Sequence, residues 1–435
     1  MREMRDSGVE WIGEIPEDWN VGKTLYALSM PITDGPHETP ELFDEGIPFI
    51  SAEAVSCGNG HIDFEHIRGF ISQEFYEECC KKYIPQINDI YMIKSGATTG
   101  KVAKVETQKL FTIWSPLAVF RVKPQKCYYE YLYYFIQSDA YQKQIENKWT
   151  YGTQQNIGMR TLEKLLICFP SITQQKLIAD YLDAKCSKIN EIIEKQQAII
   201  EKLKEYKLSV IIETVTKGLN PNVEMKDSGV EWIGQMPTSW DCTTVGRIAM
   251  VVRGASPRPA GDPLYFNGND VPWITVAEVT KGDGKYIDGT ETFLTFEGAK
   301  QSRIVEEGTL LLSNSGATLG VPKITRIRGC INDGSVAFYN LSINQEFLLY
   351  LFKGRTFELR KQMQGYGQPN LNTTIVKGIE VTLPTELEQK LIVDFLDQKC
   401  TAIEKTIEDR EKAIDKLQEY KKSLIYEVVT GKKEV

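Results

Sequence analysis

The chain of 435 residues is 42% hydrophobic, 10% aromatic and 25% charged, an ordinary globular composition with room for two to four domains of roughly 100–200 residues. Its formal net charge of −8 excludes a chain whose whole surface attracts a polyanion, and no stretch supplies the roughly 18 uncharged apolar residues of a membrane span. Residues 1–170 carry 17 Lys+Arg against 23 Asp+Glu and residues 225–384 carry 16 of each, so a polyanion needs local basic faces or a partner's field.

The opening Met1–Asp6 is charged and leads into no apolar signal core, which predicts a cytoplasmic protein. The nine cysteines form no C-x-x-C pair and read as free thiols in a reducing compartment.

The chain is a repeat of two long halves. Asp6–Gly13, reading D-S-G-V-E-W-I-G, recurs residue for residue as Asp227–Gly234, and Pro16 and Trp19 recur as Pro237 and Trp240, all at an offset of 221. The four tryptophans Trp11, Trp19, Trp232 and Trp240 read as packing anchors. The units 20–170 and 240–384 then read as mixed and strand-rich. Ile47–Ile50 matches Val271–Ile274, and Ala118–Val122 and Val336–Tyr339 read as short buried strands. Ser95-Gly96-Ala97-Thr98-x-Gly100 recurs at Ser315–Gly320, offset 220. Glu130–Glu146 and Gln345–Gln364 read as amphipathic helices. Between these anchors, residues 53–93 and 280–312 share little sequence: a common frame carries two different inserts.

Residues 171–216 predict one long helix, and its counterpart begins at 385. Gln175–Cys186 matches Gln389–Cys400 at offset 214, and about half of Pro170–Thr216 is identical to Pro384–Thr430. Apolar residues fall on a heptad seam at Ile189, Ile193, Ile200, Leu203 and Val210, and again at Ile403, Ile407, Ile414, Leu417, Leu424 and Val428. Roughly 40 residues at about 1.5 Å each give a rod of about 60 Å. Polar seam positions, Gln196 with Arg410 and Lys207 with Lys421, fix register. The simplest arrangement packs the two helices together; separate coiled coils to other chains would leave two half-seams exposed.

Several motifs admit chemical readings. Gly96–Lys101 approaches a phosphate-cradling loop, but its glycines are one residue too close and Val102 replaces Ser/Thr. A tight turn serving the fold is the plainer reading, and a turn touching DNA phosphate the next. The amide-rich Tyr151–Arg160 aligns loosely with Tyr366–Asn372; it reads as a turn locking each domain onto its helix, or as a base-edge contact. Lys94, Lys101, Lys104, Arg253, Arg258, Arg303, Arg326 and Arg328 lie in loop-like sequence, and Arg253–Pro259 is basic and free of acids. His61 and His66 near Cys57 match no zinc spacing. Glu205-Tyr206-Lys207 and Glu419-Tyr420-Lys421 are nuclease-like E-x-K triplets inside seam helices and read as structural. There is no Asn/Asp-Pro-Pro-Tyr/Phe methylation motif and no Gly-rich cofactor loop.

The repeated S-G-V-E-W-I-G-x-x-P-x-x-W opening, the Ser-Gly-Ala-Thr-x-Gly turn and the Pro-…-Gln-Lys-Leu-Ile-x-x-(Tyr/Phe)-Leu-Asp helix entry resemble the specificity subunits of type I restriction-modification enzymes, over the whole chain. The second copy has the family's Glu-Gln pair at Glu388-Gln389, whereas the first has Gln174-Gln175. The resemblance implies an α+β fold: two target recognition domains (1–170 and 225–384) separated by two long antiparallel helices (171–224, with its linker, and 385–435) in an intramolecular coiled coil with pseudo-two-fold symmetry. It implies a non-catalytic subunit that reads a split, asymmetric site on double-stranded DNA. Two modification (methyltransferase) subunits and ATP-dependent restriction subunits would dock on it. This chain would bind no cofactor or metal; S-adenosylmethionine, ATP and Mg would sit on its partners. The expected DNA contacts are Lys94, Ser95, Thr98, Thr99, Lys101, Gln154, Gln155 and Asn156 in the first half, and Arg253, Ser256, Arg258, Asn314, Ser315, Thr318, Gln368 and Asn370 in the second. Ile193, Ile200, Leu203, Ile407, Ile414 and Leu417 serve as spacer or partner-binding positions. The competing readings are a stand-alone nuclease or methyltransferase, which lacks the motifs, and a coiled-coil scaffold without DNA binding, which the acidic first domain favours.

Overall fold

The computed structural model describes residues 2–151, 155–316, 318–362 and 371–435. The chain folds as two compact units, Met1–Gln196 with Glu411–Val435, and Gln197–Arg410.

The first unit carries β1 (Thr33–Asp34), β2 (Ile47–Ile50), β3 (Phe70–Ile71), β4 (Ile90–Ile93), β5 (Val102–Lys104), β6 (Thr112–Ile113) and β7 (Leu117–Phe120). One sheet runs β1-β7-β4-β5 and is antiparallel; a smaller one runs β3-β2-β6, with β2 and β6 parallel. The central strands Ile-Tyr-Met-Ile and Leu-Ala-Val-Phe are apolar throughout because both faces are covered. Ile90, Met92, Ala118 and Phe120 join one core, with Tyr131, Leu132 and Phe135, while Tyr91, Ile93, Leu117 and Val119 join another, with Ile50, Val55 and Phe111. The expected helix 130–146 is two helices, α1 (Tyr129–Gln137) and α2 (Asp139–Glu146). Ser138 breaks it: its backbone is extended and its hydroxyl donates to Phe135 O at 2.6 Å, the local competition that disfavours serine inside helices. The chain then enters α3 (Ile172–Lys217), 46 residues long.

The second unit carries β8 (Met250–Arg253), β9 (Phe266–Ile274), β10 (Tyr286–Ile287), β11 (Phe293–Leu294), β12 (Arg303–Val305), β13 (Leu310–Ser313), β14 (Pro322–Thr325), β15 (Gly329–Ile331), β16 (Ser335–Tyr339), α4 (Gln345–Gln362) and α5 (Glu386–Val429). Its sheets run β8-β16-β13-β14-β10 and β11-β9-β15-β12. This is the first unit's topology with β10 and β12 added, and the parallel pair recurs as β9 with β15. The two inserts that share little sequence therefore share a fold. Each insert is stapled at its base by an antiparallel pair joining entry to exit: Asn20–Lys23 with Leu166–Phe169, and Asp241–Thr244 with Glu380–Leu383.

In the first unit Leu182, Cys186 and Ile189 of α3 share a core with Leu424, Ile425 and Val428 of α5. In the second, Ile211 and Val215 of α3 share one with Ile392, Leu396 and Cys400 of α5. Each unit pairs the beginning of one helix with the end of the other, so the pair runs antiparallel within one chain. The predicted seam positions are buried or half-buried. Both seam lysines find partners on the other helix: Lys207 Nζ reaches Glu404 Oε1 at 2.6 Å, and Lys421 Nζ donates to Asn190 Oδ1 at 2.7 Å. Burial pushes the Lys421 ammonium below the usual lysine range.

Both long helices start on capping boxes that the sequence spells as S-x-x-Q and T-x-x-E. Ser171 N donates to Gln174 Oε1 at 3.0 Å, and Thr385 N to Glu388 Oε2 at 3.0 Å. Each ends on a left-handed glycine pressed against a repeat tryptophan: Gly218 (φ +75°) on Trp240, and Gly431 (φ +74°) on Trp19. Among the described residues no helix is long and apolar enough to cross a membrane.

Candidate nucleic-acid interface

The end of each larger sheet gathers most of the predicted contact residues. Asp34 stands opposite Ala118 of β7, and Arg253 stands opposite Val336 of β16. Since Ala118 pairs with Met92 and Val336 with Leu312, matched residues of the repeat, Asp34 and Arg253 occupy one position of a shared frame. The next residue is glycine in both, because a Cβ there would lie 1.9 Å from Ile113 O or 2.1 Å from Asn332 O. The frame is common and the charge is inverted.

In the first unit Asp34 is buried and held by two lysines, Lys82 Nζ at 2.5 Å and Lys94 Nζ at 3.3 Å, with His37 Nε2 at 3.2 Å. Lys94, expected to contact DNA, is only 11% exposed, so its side chain serves this internal cluster instead. The glycine turn and the amide loop meet here. Ser95 bridges Asn156, Gly96 N donates to Gln155 O at 3.0 Å, and Ile157 N to Lys94 O at 2.9 Å. The amide loop thus locks onto the turn of its own domain. Gly100 supplies the left-handed backbone of the turn, at φ +95°. Thr99 Oγ1 closes the turn on Gly96 O at 2.7 Å, Thr98 is half-buried, and exposed Lys101 reaches Ser56 O at 3.4 Å. Gln154 lies outside the described residues.

In the second unit Arg253 Nε donates to Asp333 O at 2.8 Å, Ser256 Oγ to Asp333 Oδ1 at 2.5 Å, and Arg258 Nη2 lies 3.6 Å from Asp333 Oδ2. Both arginines are exposed. Asn314, at the position of Lys94, is fully buried, with both side-chain amide atoms unpartnered among the described residues. Its side chain, like that of Lys94, is turned inward, which corrects its expected place as a direct contact. Ser315 is half-buried beside Gly334, and Thr318 is exposed. Leu371 N donates to Asn314 O at 2.7 Å, repeating the Ile157–Lys94 bond. Gln368 and Asn370 lie outside the described residues.

A second matched cluster ties each domain to its long helix. Lys104 Nζ lies 3.6 Å from Glu130 of α1 and 3.8 Å from Asp183 of α3. Lys285 Nζ reaches Asp397 of α5 at 2.6 Å and Glu346 of α4 at 3.1 Å. The carboxylates are matched by the repeat, but the lysines come from different strands: Lys104 lies in β5, whereas Lys285 precedes the added β10. Lys104 is therefore a buried strand residue rather than a loop cation. The repeated Gln175 and Gln389 are buried too. Gln175 Oε1 accepts from Tyr128 N at 2.8 Å, and Gln389 Oε1 from Asn344 N at 2.7 Å.

Ile193 and Leu417 pack against the first unit's core, Ile200 and Ile414 are buried, and Leu203 and Ile407 are half-buried. Exposed apolar residues on the helices include Leu177 and Ile192 on α3, and Leu387, Leu391 and Phe395 one turn apart on α5. His61 Nδ1 pairs with Glu106 at 2.5 Å and His66 Nδ1 with Asp63 at 2.7 Å. The described residues hold no group of three or more metal-ligating side chains. The cysteines are free; burial raises the thiols of Cys168, to about 12, and Cys186, to about 11.

The molecule is a duplicated α+β protein in which one frame carries two chemically different sheet ends. Residues 36–204 and 237–411, more than three quarters of the chain, match the type I restriction modification DNA specificity domain, and the chain belongs to that family. The MjaVIII specificity subunit of Methanocaldococcus jannaschii is 24% identical over 385 residues, spanning 86% of this chain and 85% of its own length. The StySPI specificity subunit of Salmonella potsdam is 23% identical over 403 residues, spanning 89% and 83%. A solved structure described under complex assembly and conformational transition of the type I R-M system has the same fold, with a TM-score of 0.73 over 95% of this chain and 98% of that one at 15% identity.

Proposed function

We propose that the chain reads a split, asymmetric DNA site as the specificity subunit of a type I restriction-modification complex, with residues 1–170 and 225–384 each reading one half. The observation that carries this is the divergent position: one frame position holds a buried, lysine-paired Asp34 in the first domain and an exposed Arg253 in the second, so the two domains offer different surfaces to a duplex. Arg253, Ser256, Arg258, Ser315 and Thr318 are the proposed contacts of the second domain, and Ser95, Thr98, Thr99, Lys101, Gln155 and Asn156 those of the first. Arginine forks suit guanine edges, and hydroxyls and turn amides suit phosphate. The antiparallel helices set the unread gap. Leu177 and Leu391, matched by the repeat and both about half exposed, give each half a docking face, which suits two modification subunits. Restriction subunits would join that core in the cytoplasm. The chain supplies no catalytic group; S-adenosylmethionine, ATP and Mg belong to the partners.

The test is co-expression with the modification subunit and mapping of methylated adenines. A bipartite motif with unlike halves is expected. A contiguous motif, or methylation without sequence preference, would overturn the reading.

A further inference from the structure

We propose that Asp333 is the positioning residue of the second recognition domain, fixing Arg253, Ser256 and Arg258 as one preformed reading loop; this rests on the DNA reading above. Asp333 lies in the turn between β15 and β16, just ahead of the strand that pairs with β8. Its three contacts fall on three different parts of the loop. The backbone carbonyl takes Arg253 Nε at 2.8 Å, one carboxylate oxygen takes Ser256 Oγ at 2.5 Å, and the other faces Arg258 Nη2 at 3.6 Å. Ser256 Oγ in turn accepts from Asp333 N at 3.4 Å. Ser302 Oγ and the Gln301 side chain hold the same loop from behind, at Ala255 O (2.7 Å) and Arg258 N (3.2 Å).

The Arg253 guanidinium is pinned through Nε, and its two Nη nitrogens have no partner among the described residues. A fork held by its stem and free at its tips is the geometry of a bidentate contact to guanine O6 and N7. An exposed carboxylate on a face meeting phosphates weakens attraction to DNA, so Asp333 does not serve general affinity. Its use is to hold the arginines before DNA arrives, so that the side-chain ordering cost is met in advance. Among the described residues the first domain has no such hub: Ser115 stands in Asp333's place, and the acid, Asp34, sits on the strand instead, buried among cations. The repeat therefore assigns Asp333 to the second half-site alone.

The experiment compares Asp333→Ala, Asp333→Asn, Ser256→Ala and Arg253→Ala in the chain co-assembled with its modification subunits, reading the methylated motif and the binding constant for cognate duplex at several salt concentrations. Arg253→Ala is expected to relax one base of the second half-site. Asp333→Ala keeps the carbonyl that takes Arg253 Nε but removes the carboxylate that holds Ser256 and Arg258; it is expected to relax the second half-site and weaken cognate binding about tenfold with the salt slope unchanged, the first half-site and the gap staying intact. Asp333→Asn keeps an acceptor for the Ser256 hydroxyl and is expected to stay within about threefold. If Asp333→Ala does not assemble, Ser256→Ala breaks the same link from the loop side and carries the comparison. An unchanged motif and affinity in Asp333→Ala, alongside a relaxed motif in Arg253→Ala, overturns the proposal. Failure of the wild-type complex to methylate a split motif overturns the underlying reading instead.

Discussion

Replacing Lys285 with methionine should loosen the second domain from its helix, by an amount the geometry bounds. The Lys285 side chain is 16% exposed, its ammonium having Asp397 oxygens at 2.6 and 2.8 Å and Glu346 at 3.1 Å. Tyr350 and Tyr286 hydroxyls donate to the same two carboxylates at 2.5 and 2.7 Å. The Lys285→Met substitution leaves those carboxylates facing each other with no cation between them. One such contact at about 4 Å is worth about 4 kcal/mol at an effective dielectric of 20. Asp397 and Glu346 are 39% and 32% exposed, so solvent screens much of that and a net loss of roughly 2 kcal/mol remains. In the first domain Lys104 stands 3.4 to 3.8 Å from its acids, and Lys104→Met should cost roughly 1 kcal/mol. Urea unfolding of the purified chain, followed by probes in each unit, checks both. Only the second unit's transition should move in Lys285→Met, and Asp397→Asn added to it should recover part of the loss. A Lys285→Met chain within about 0.5 kcal/mol of wild type, or a larger loss from Lys104→Met, would refute the reasoning.

Other outcomes follow from the same structure. Gly431→Ala should cost about 3 kcal/mol or more, since the new Cβ would lie 2.4 Å from Pro16 Cδ in a left-handed backbone, whereas Gly234→Ala, with nothing within 4 Å, should cost only the backbone term of about 1 kcal/mol; paired melts separate the two. Gln389→Leu strands Asn344 N and Pro384 O and should cost roughly 2–4 kcal/mol by denaturant titration. Burial, with the Lys207 ammonium adding to it, lowers Lys353 to about 8, against the opposing pull of Glu404, Cys400 and Asp283. An unfolded lysine near 10.4 binds a proton the folded one lacks between these values, so this group's contribution to stability rises with pH across that window, by up to roughly 3 kcal/mol. Lys353→Met should be the more stable chain at pH 7 and lose that advantage by pH 10, as melts at the two pH values would read.

The repeat carried most of the fold into view, because identical residues marked the places both copies need: Trp19 and Trp240 under the helix ends, Gln175 and Gln389 at the helix entries, the glycines of the turn. The seam was legible because a heptad needs only apolar spacing, and the register lysines because they interrupt it. The break at Ser138 was missed since the apolar period continues across it. The contact surface was harder to read, because loop cations look alike in sequence whether they face solvent or an acid. Lys94 and Lys104 proved to be partners of Asp34, Glu130 and Asp183, acids distant in the chain. Asp333 carried no signal at all, because its counterpart is Ser115 and the repeat is silent where the two readers differ.

The most direct measurement is the methylated motif of a chain in which residues 240–384 are replaced by a second copy of 20–170, joined at the stapling strands Asn20–Lys23 and Leu166–Phe169. With one reader duplicated on an antiparallel frame, the predicted motif is an inverted repeat of the first half-site around the original gap. Methylation of the original asymmetric motif by that chain would contradict the account.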